Sequence, residues 1–401
     1  MKIFIIANFA ERLKGQNDGR FEYLADMLVR RGYDVTFITS DFDHFTKKHR
    51  DFVSEKYSYK IQLIHEPGYK TNVSLKRLYS HRIWGHNVYK YLQISKKPDL
   101  VYIAVPSLTV GVKTVEYCKV NKIRLVADVQ DLWPEAFFLA IRNKILHNCF
   151  LPIKWYVNKI YKSADLLLAV SQTYLDRAMA VNHHSDGYSV FLGNDGAAFD
   201  VGRIKYSVKK PSKEFWIVYI GTLGHSYDIP CVINAIKKLN GKSSEGDIIR
   251  FIIIGDGPLK KTFEDYAQMN GVNCEFTGGL AYQEMVGRMC SCDVVMNPIV
   301  KGAPQSITNK VGDYALSGLP VISTQENPEY RQLVEEYQCG INCECGNSDQ
   351  VADAINTLAK NPALRIQMGE NARRLGVEKF DRRSTYIQII DALEKCVSCN
   401  V

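Results

Sequence analysis

Short apolar runs of four to six residues, separated by helix-length intervals, recur along the chain in two successive series. Runs of that length bounded by turn residues read as buried strands, and their alternation with helical segments is the pattern of a parallel sheet with crossover helices. The first series falls at 2–7, 34–39, 99–104, 124–129, 165–170 and 189–192, the second at 215–220, 250–254, 274–277, 293–297 and 319–323. Between the first two runs, Phe21, Leu24, Ala25, Leu28 and Val29 keep the spacing of an amphipathic helix, which Gly32 ends. Residues 203–214 are polar, interrupted by Pro211, and read as a linker. The pattern predicts an α/β protein of two doubly wound domains. One spans 1–202 and is joined by a C-terminal helix at about 380–401; the other spans 203–379. A length of 401 residues agrees, at roughly 100–200 residues per domain. Two such domains facing across a cleft would bind ligands at the carboxyl ends of their strands.

No run approaches the roughly 18 consecutive apolar residues of a membrane span. The N-terminal apolar stretch is too short for a secretory leader and lacks a small-residue cleavage site. Eleven scattered cysteines are therefore expected as reduced thiols of a cytoplasmic protein, without zinc-ribbon spacing.

The net charge of +8 resides in the first half, where residues 1–200 hold 28 basic and 20 acidic side chains; residues 201–401 hold 23 of each. Two stretches carry no acid at all: 70–97 with seven basic residues, and 142–162 with five. Both contain aromatics, Tyr79, Trp84, Tyr89 and Tyr91 in one and Phe150, Trp155, Tyr156 and Tyr161 in the other. That mixture suits an anionic membrane surface as well as it suits a solvated helix face. Nucleic acid is not expected, since no nucleic-acid motif accompanies the charge.

Strand 2–7 is followed by no GxGxxG, and no GxxxxGK[ST] occurs, which excludes a nicotinamide or flavin site there and a Walker-type ATPase. Three turns of the second half offer backbone N–H groups to an anion: Gly221-Thr222-Leu223-Gly224, Gly255-Asp256-Gly257-Pro258, and Ser306-Ile307-Thr308-Asn309-Lys310. Each taken alone is equally a helix cap or tight turn; together, at one edge of a domain, they suit a nucleoside diphosphate. Asp41-Phe42-Asp43 spells DxD, a metal–diphosphate motif in some sugar transferases and a common accident elsewhere; no metal is expected. His183-His184 reads as a solvated loop, and no GxSxG supports a hydrolase.

Read in order, VYIGTLG (218–224), IIIGDGPLKK (252–261), CEFTGGLAYQEMVGRMCSCDVVMNPI (274–299) and SITNKVGDYALSGLPVIST (306–324) resemble a family 4 glycosyltransferase of the GT-B fold, with two Rossmann-like domains. ADVQDLWPEAF (127–137) resembles the DLWPE segment of its bacterial cell-surface polysaccharide enzymes, of capsule or O-antigen type. The resemblance implies transfer of a hexosyl or N-acetylhexosaminyl group from a nucleotide diphosphate donor, with retention, no cofactor and no metal. UDP is expected ahead of GDP.

The family's paired acids fall on Gln305 and Asp313, implying contacts to donor-sugar hydroxyls and to the ribose. The basic pair usual after the GTLG-like turn is replaced by His225-Ser226-Tyr227, so the resemblance leaves the diphosphate to backbone groups at Gly224 and Thr308, with His225 or Lys310. Gly221, Thr222, Leu223, Gly255, Asp256, Thr277, Gly278, Ser306 and Ile307 complete the implied donor site. In the first domain Gln130 stands where the family has a histidine, beside Asp131, and both are expected to position acceptor or sugar. Gly19 and Arg20 are candidates for the acceptor side, although a plain surface arginine is an equal reading of Arg20. The acceptor implied is a lipid-linked or free saccharide, met at the inner face of the cell membrane. Two alternatives stay open: a non-catalytic partner subunit of the same fold, and a UDP-amino-sugar epimerase.

Overall fold

The computed structural model describes residues 1–10, 19–50, 56–72, 74–135, 151–240, 248–303 and 307–398. Chain contacts divide it into two units, residues 1–191 with the chain from Tyr386 onward, and Leu192–Thr385.

The first unit carries β1 (Lys2–Ile6), α1 (Arg20–Arg30), β2 (Asp34–Ser40), a ribbon of β3 (Phe42–Asp43) and β4 (Lys48–His49), β5 (Lys60–Ile64), α2 (Leu75–Ile94), β6 (Leu100–Val105) and α3 (Leu108–Asn121). It continues through β7 (Arg124–Val129), α4 (Leu151–Ser163), β8 (Leu166–Ala169), α5 (Gln172–Met179) and β9 (Asp186–Ser189). Seven strands form one parallel sheet in the order β5-β2-β1-β6-β7-β8-β9. The two-residue period of a strand sends Phe4 and Ile6 to one face, against Trp84, Val88 and Leu92 of α2. Ile3 and Ile5 go to the other, against Phe21, Leu24 and Leu28 of α1. α1 ends as expected at Gly32, whose φ of 91° lets its N–H return to the Val29 carbonyl at 2.8 Å.

The second unit runs α6 (Gly196–Lys205), β10 (Glu214–Ile220), α7 (Ile229–Asn240), β11 (Ile248–Ile254), α8 (Lys260–Met269), β12 (Cys274–Gly278), α9 (Tyr282–Cys290), β13 (Val294–Asn297), α10 (Asn309–Ser317) and β14 (Val321–Ser323). α11 (Pro328–Glu336), β15 (Gly340–Asn342), α12 (Ser348–Lys360), α13 (Pro362–Leu375) and a π-helical turn at Gly376–Phe380 follow. Its sheet is also parallel, in the order β12-β11-β10-β13-β14-β15. Strand order reverses between β10 and β13, and at such a switch point the carboxyl ends of the strands leave a crevice for a ligand. The last helix, α14 (Arg382–Ser398), packs Tyr386, Ile389 and Leu393 into the core of the first unit.

Several elements differ from the sequence reading, the short β3–β4 ribbon among them. The last strand of the first sheet is Asp186–Ser189 rather than 189–192, because pairing with β8 sets its register and its polar DGYS string carries no apolar signal. Residues 203–205, read as linker, close α6, whose cap is Asp195 accepting from Ala197 and Ala198 N–H. The polarity there marks an exposed helix face. β5 and β15 were not expected; both are edge strands, which need little apolar sequence. No helix among the described residues is long and apolar enough to cross a membrane.

Candidate functional site

The Gly221–Gly224 turn follows β10, at the switch point of the second sheet. Backbone bonds lace it to its neighbours: Gly221 N–H donates to Ile254 O at 2.9 Å, Leu223 N–H to Asp256 O at 2.9 Å, and Gly255 N–H to Gly278 O at 2.9 Å. The ends of β10, β11 and β12 thus share one rim. Gly255, at φ 152°, passes so near Gly221 that an added Cβ would lie 1.9 Å from the Gly221 carbonyl oxygen. Only glycine fits there.

Lys310, in the first turn of α10, comes back to this turn. Its Nζ lies 3.8 Å from the Tyr227 ring centroid and 4.9 Å from that of Tyr219, with the Tyr219 hydroxyl at 3.4 Å. That hydroxyl donates to Thr222 O at 2.8 Å. A Cβ on Gly221 would meet Lys310 Nζ at 2.6 Å, so the amine lies against the glycine turn itself. Burial pulls the Lys310 amine down to about 7, against the opposing pull of Asp313. The amine is attracted to the ring faces, and no ion pair to a carboxylate is seen for it among the described residues. The Tyr314 hydroxyl holds the end of β10, donating to Ile220 O at 3.3 Å.

Asp313, one turn beyond Lys310, is buried. Its Oδ1 accepts from Asn194 Nδ2 at 2.8 Å and from the Tyr282 hydroxyl at 2.7 Å. Burial raises its carboxyl to about 7, partly offset by Tyr282, Arg382 and Lys310. Asn194 Oδ1 is buried without a hydrogen-bond partner beside this group.

The remaining donor candidates stand as follows. Ile307 is buried and Thr308 caps α10 without a side-chain bond. His225 is exposed. Asp256 is exposed and turns its carboxylate onto Gly257 N–H at 2.8 Å. Thr277 donates locally, to Gly278 O at 2.9 Å. Gln305 and Ser306 lie outside the described residues. Sequence reasoning missed Tyr219, Tyr227, Tyr282 and Asn194, which surround Lys310 and Asp313; nothing in their local strings sets them apart.

In the first unit, Gln130 and Asp131 follow β7. Asp131 is oriented by Leu132 N–H at 2.9 Å and the Trp133 indole N–H at 3.2 Å, while Gln130 Nε2 has no partner. The surface reading of Arg20 is corrected. The residue is 4% exposed, and its guanidinium donates to Asp128 at 2.7 and 3.3 Å and to the Val190 and Phe191 carbonyls at 3.1 and 3.0 Å. Such a group ties α1 to β7 and the end of β9; Gly19, its buried N-terminal neighbour, is the N-cap of α1. The DxD pair is split as well. Asp43 turns towards Arg50 at 3.6 Å, whereas Asp41 lies with His49 and His65, their ligand atoms within 4.8 Å of one another, near enough to share an ion.

Two Rossmann-like units in one chain, one of them with glycine turns, an amine and a buried acid at its switch point, fit the GT-B fold. Two family models match, Glycosyltransferase Family 4 over residues 20–185 and Glycosyl transferases group 1 over 200–375. The chain belongs to glycosyltransferase family 4. It is 33% identical over 67 residues to an uncharacterized glycosyltransferase of Haemophilus influenzae, covering 16% of this chain and 19% of that one. It is 22% identical over 165 residues to the alpha-D-kanosaminyltransferase of Streptomyces kanamyceticus, covering 41% of each. The matches thus span well under half of these curated relatives. In fold it is similar to HepE of Anabaena in complex with UDP, at 17% identity and a TM-score of 0.70, covering 98% of this chain and 100% of that one.

Proposed function

We propose that the chain is an active, retaining glycosyltransferase that moves a hexosyl-type group from a UDP-sugar to a lipid-linked or free saccharide in surface polysaccharide synthesis. The observation that carries this reading is Lys310, an amine held against the Gly221 turn in the place the missing basic pair would serve. Breaking the anomeric C–O bond sends its electron pair to the diphosphate. The Lys310 ammonium and the N–H groups at Gly224 and Thr308 stabilise that charge. The acceptor hydroxyl bonds to the anomeric carbon on the face the diphosphate leaves, and its proton passes to the departing phosphate oxygen; no protein nucleophile is needed. Asp313 takes the ribose, Gln305 a donor-sugar hydroxyl, and Gln130 with Asp131 the acceptor. Lys310 favours this reading over a non-catalytic partner subunit, and UDP bound in HepE favours UDP over GDP.

Calorimetric titration with UDP and GDP, with and without Mg²⁺, tests it: metal-independent binding of UDP is expected, and binding of neither would remove the transferase reading. Asp313→Ala is expected to weaken UDP at least about tenfold, the loss of one charge-assisted hydrogen-bond partner, while leaving far-UV dichroism intact. Unchanged affinity would remove the ribose role.

The two acid-free stretches support a location at the inner face of the membrane. Leu75, Leu78 and Tyr79 on α2 are exposed beside Lys76 and Arg82, and Leu151, Trp155 and Tyr156 on α4 beside Lys154; residues 142–150 lie outside the described residues. Reversing both charges in Lys76→Glu with Arg82→Glu is expected to cut sedimentation with anionic liposomes about tenfold, at roughly 1 kcal/mol per basic residue near such a surface. Equal sedimentation would leave these residues a merely solvated face.

A further inference from the structure

Asp41, parted from Asp43 by the fold, meets two histidines in a group that takes no part in the proposed reaction. Asp41 follows β2, His49 ends β4 and His65 follows β5. Backbone pairing brings the three together. β2 and β5 run parallel with Ser40 opposite Ile64, so Asp41 and His65 are the next residues on two adjacent strands. In the antiparallel ribbon His49 lies opposite Phe42, the chain neighbour of Asp41. Two further main-chain bonds hold the register: Asp41 N–H donates to Ile64 O at 3.1 Å, and Arg50 N–H to Asp41 O at 2.7 Å.

The ligand atoms are nearly in place. His65 Nδ1 lies 2.9 Å from Asp41 Oδ2, and His49 Nε2 lies 3.9 Å from Asp41 Oδ1. All three groups offer an atom within 4.8 Å of the others. Ligands at about 2.0–2.2 Å from a tetrahedral ion are about 3.3 Å apart, so shifts of about 1 Å close the set. The imidazole planes are near parallel, 15° apart, with centroids separated by 5.7 Å. Outer contacts brace them. Glu66 N–H donates to Asp41 Oδ1 at 2.8 Å, and the buried Phe42 ring meets His49 edge-on at 5.5 Å.

One carboxylate and two imidazoles suit zinc and its neighbours among the divalent transition ions. Mg²⁺ and Ca²⁺ prefer oxygen alone. His65 Nδ1 now donates to Asp41 and His49 Nε2 to Glu66 O, at 2.8 Å. An ion would take those two lone pairs, each neutral imidazole keeping its proton on the other ring nitrogen. The His49 and His65 side chains are 46% and 64% exposed, so the ion enters from solvent and keeps water in its fourth position.

We propose that Asp41, His49 and His65 form a site for one zinc-type divalent ion, which clamps the β3–β4 ribbon to the ends of β2 and β5. The site lies within the first unit and does not rest on the transferase reading. It is not the metal–diphosphate use of a DxD string: Asp43 accepts from Phe45 and Thr46 N–H, faces Arg50 and is no ligand.

The full-length protein, stripped of metal by a chelator and with its thiols reduced by a phosphine, is titrated with Co²⁺ and then Zn²⁺. Cobalt reports its own ligands. A four-coordinate nitrogen and oxygen set gives visible d–d bands, and thiolates add charge-transfer absorption in the near ultraviolet. One equivalent of Co²⁺ is expected to bind with the first signature and without the second, displaced by Zn²⁺ and not by Mg²⁺. His49→Ala with His65→Ala is expected to weaken it at least about tenfold, since even an outer partner of a ligand costs that much. Should the double variant lose its far-UV dichroism, the isosteric Asp41→Asn is expected to give the same loss. In thermal unfolding, Zn²⁺ at about 100 times its Kd should raise the first-unit transition of wild type by roughly 5 °C and leave the variant unmoved. Equal affinity in the variants, which thiolate absorption would trace to the cysteines, or no binding by wild type overturns the site. Affinity lost in the variants without a thermal difference keeps the ion and overturns the clamp.

Discussion

Arg20→Met is expected to destabilise the first unit by about 3–5 kcal/mol, the usual cost of leaving one partner of a buried ion pair uncompensated. Asp128 is fully buried, and besides Arg20 it receives the Tyr102 hydroxyl at 2.6 Å. Without the guanidinium its charge has one neutral donor, and the Val190 and Phe191 carbonyls lose theirs. In thermal unfolding followed by circular dichroism, the first transition should fall by roughly 10 °C. Asp128→Asn in the same chain should restore part of the loss, since it removes the stranded charge and keeps an acceptor for Tyr102. An unchanged midpoint in the single variant would show that Arg20 does not neutralise Asp128, and would return it to the acceptor side.

Lys310→Met is expected to weaken UDP by about 30–100-fold, which is roughly 2–3 kcal/mol for a charged hydrogen bond to a diphosphate. The wild-type pH profile gives a second readout. Burial holds the free amine at about 7, and only its ammonium form pairs with the diphosphate. Above pH 7 the terminal phosphate, with a second pKa of about 6, is already charged. Affinity should therefore fall as pH rises from 7 to 9, approaching tenfold per unit, with a proton taken up on binding. The profile of Lys310→Met should lose this fall, leaving only the titration of Asp313, whose buried carboxyl also lies at about 7. A fall with pH as steep in the variant as in wild type would remove Lys310 from the diphosphate.

Much of this was legible beforehand for a local reason. The alternation of apolar runs with helical spacing places β1, β2, β6 and β7 and the two glycine turns within a residue or two of where they fold, because strand burial and turn conformation are properties of short strings. The Gly221 and Gly255 turns could be named as a pair, yet not the reason both must be glycine, which is the 1.9 Å approach of one to the carbonyl of the other. Edge strand β9, with its polar string, and α6, with its charged outer face, were misread because their partners rather than their own periodicity stabilise them.

Local sequence by itself determined the two-fold α/β repeat, the order of motifs that places the chain in its family, and the loops that carry the donor candidates. Only the tertiary structure decided what the charged side chains do. Arg20 meets Asp128, 108 positions away, and becomes a buried tie rather than a surface arginine. Lys310 meets Tyr227 and Tyr219 and becomes an amine that titrates near neutrality. Asp41, His49 and His65, apart in the chain, become three potential ligands at the ends of paired strands. Charge state and ligand affinity depend on desolvation and on partners distant in the chain, and neither quantity is written in a local pattern.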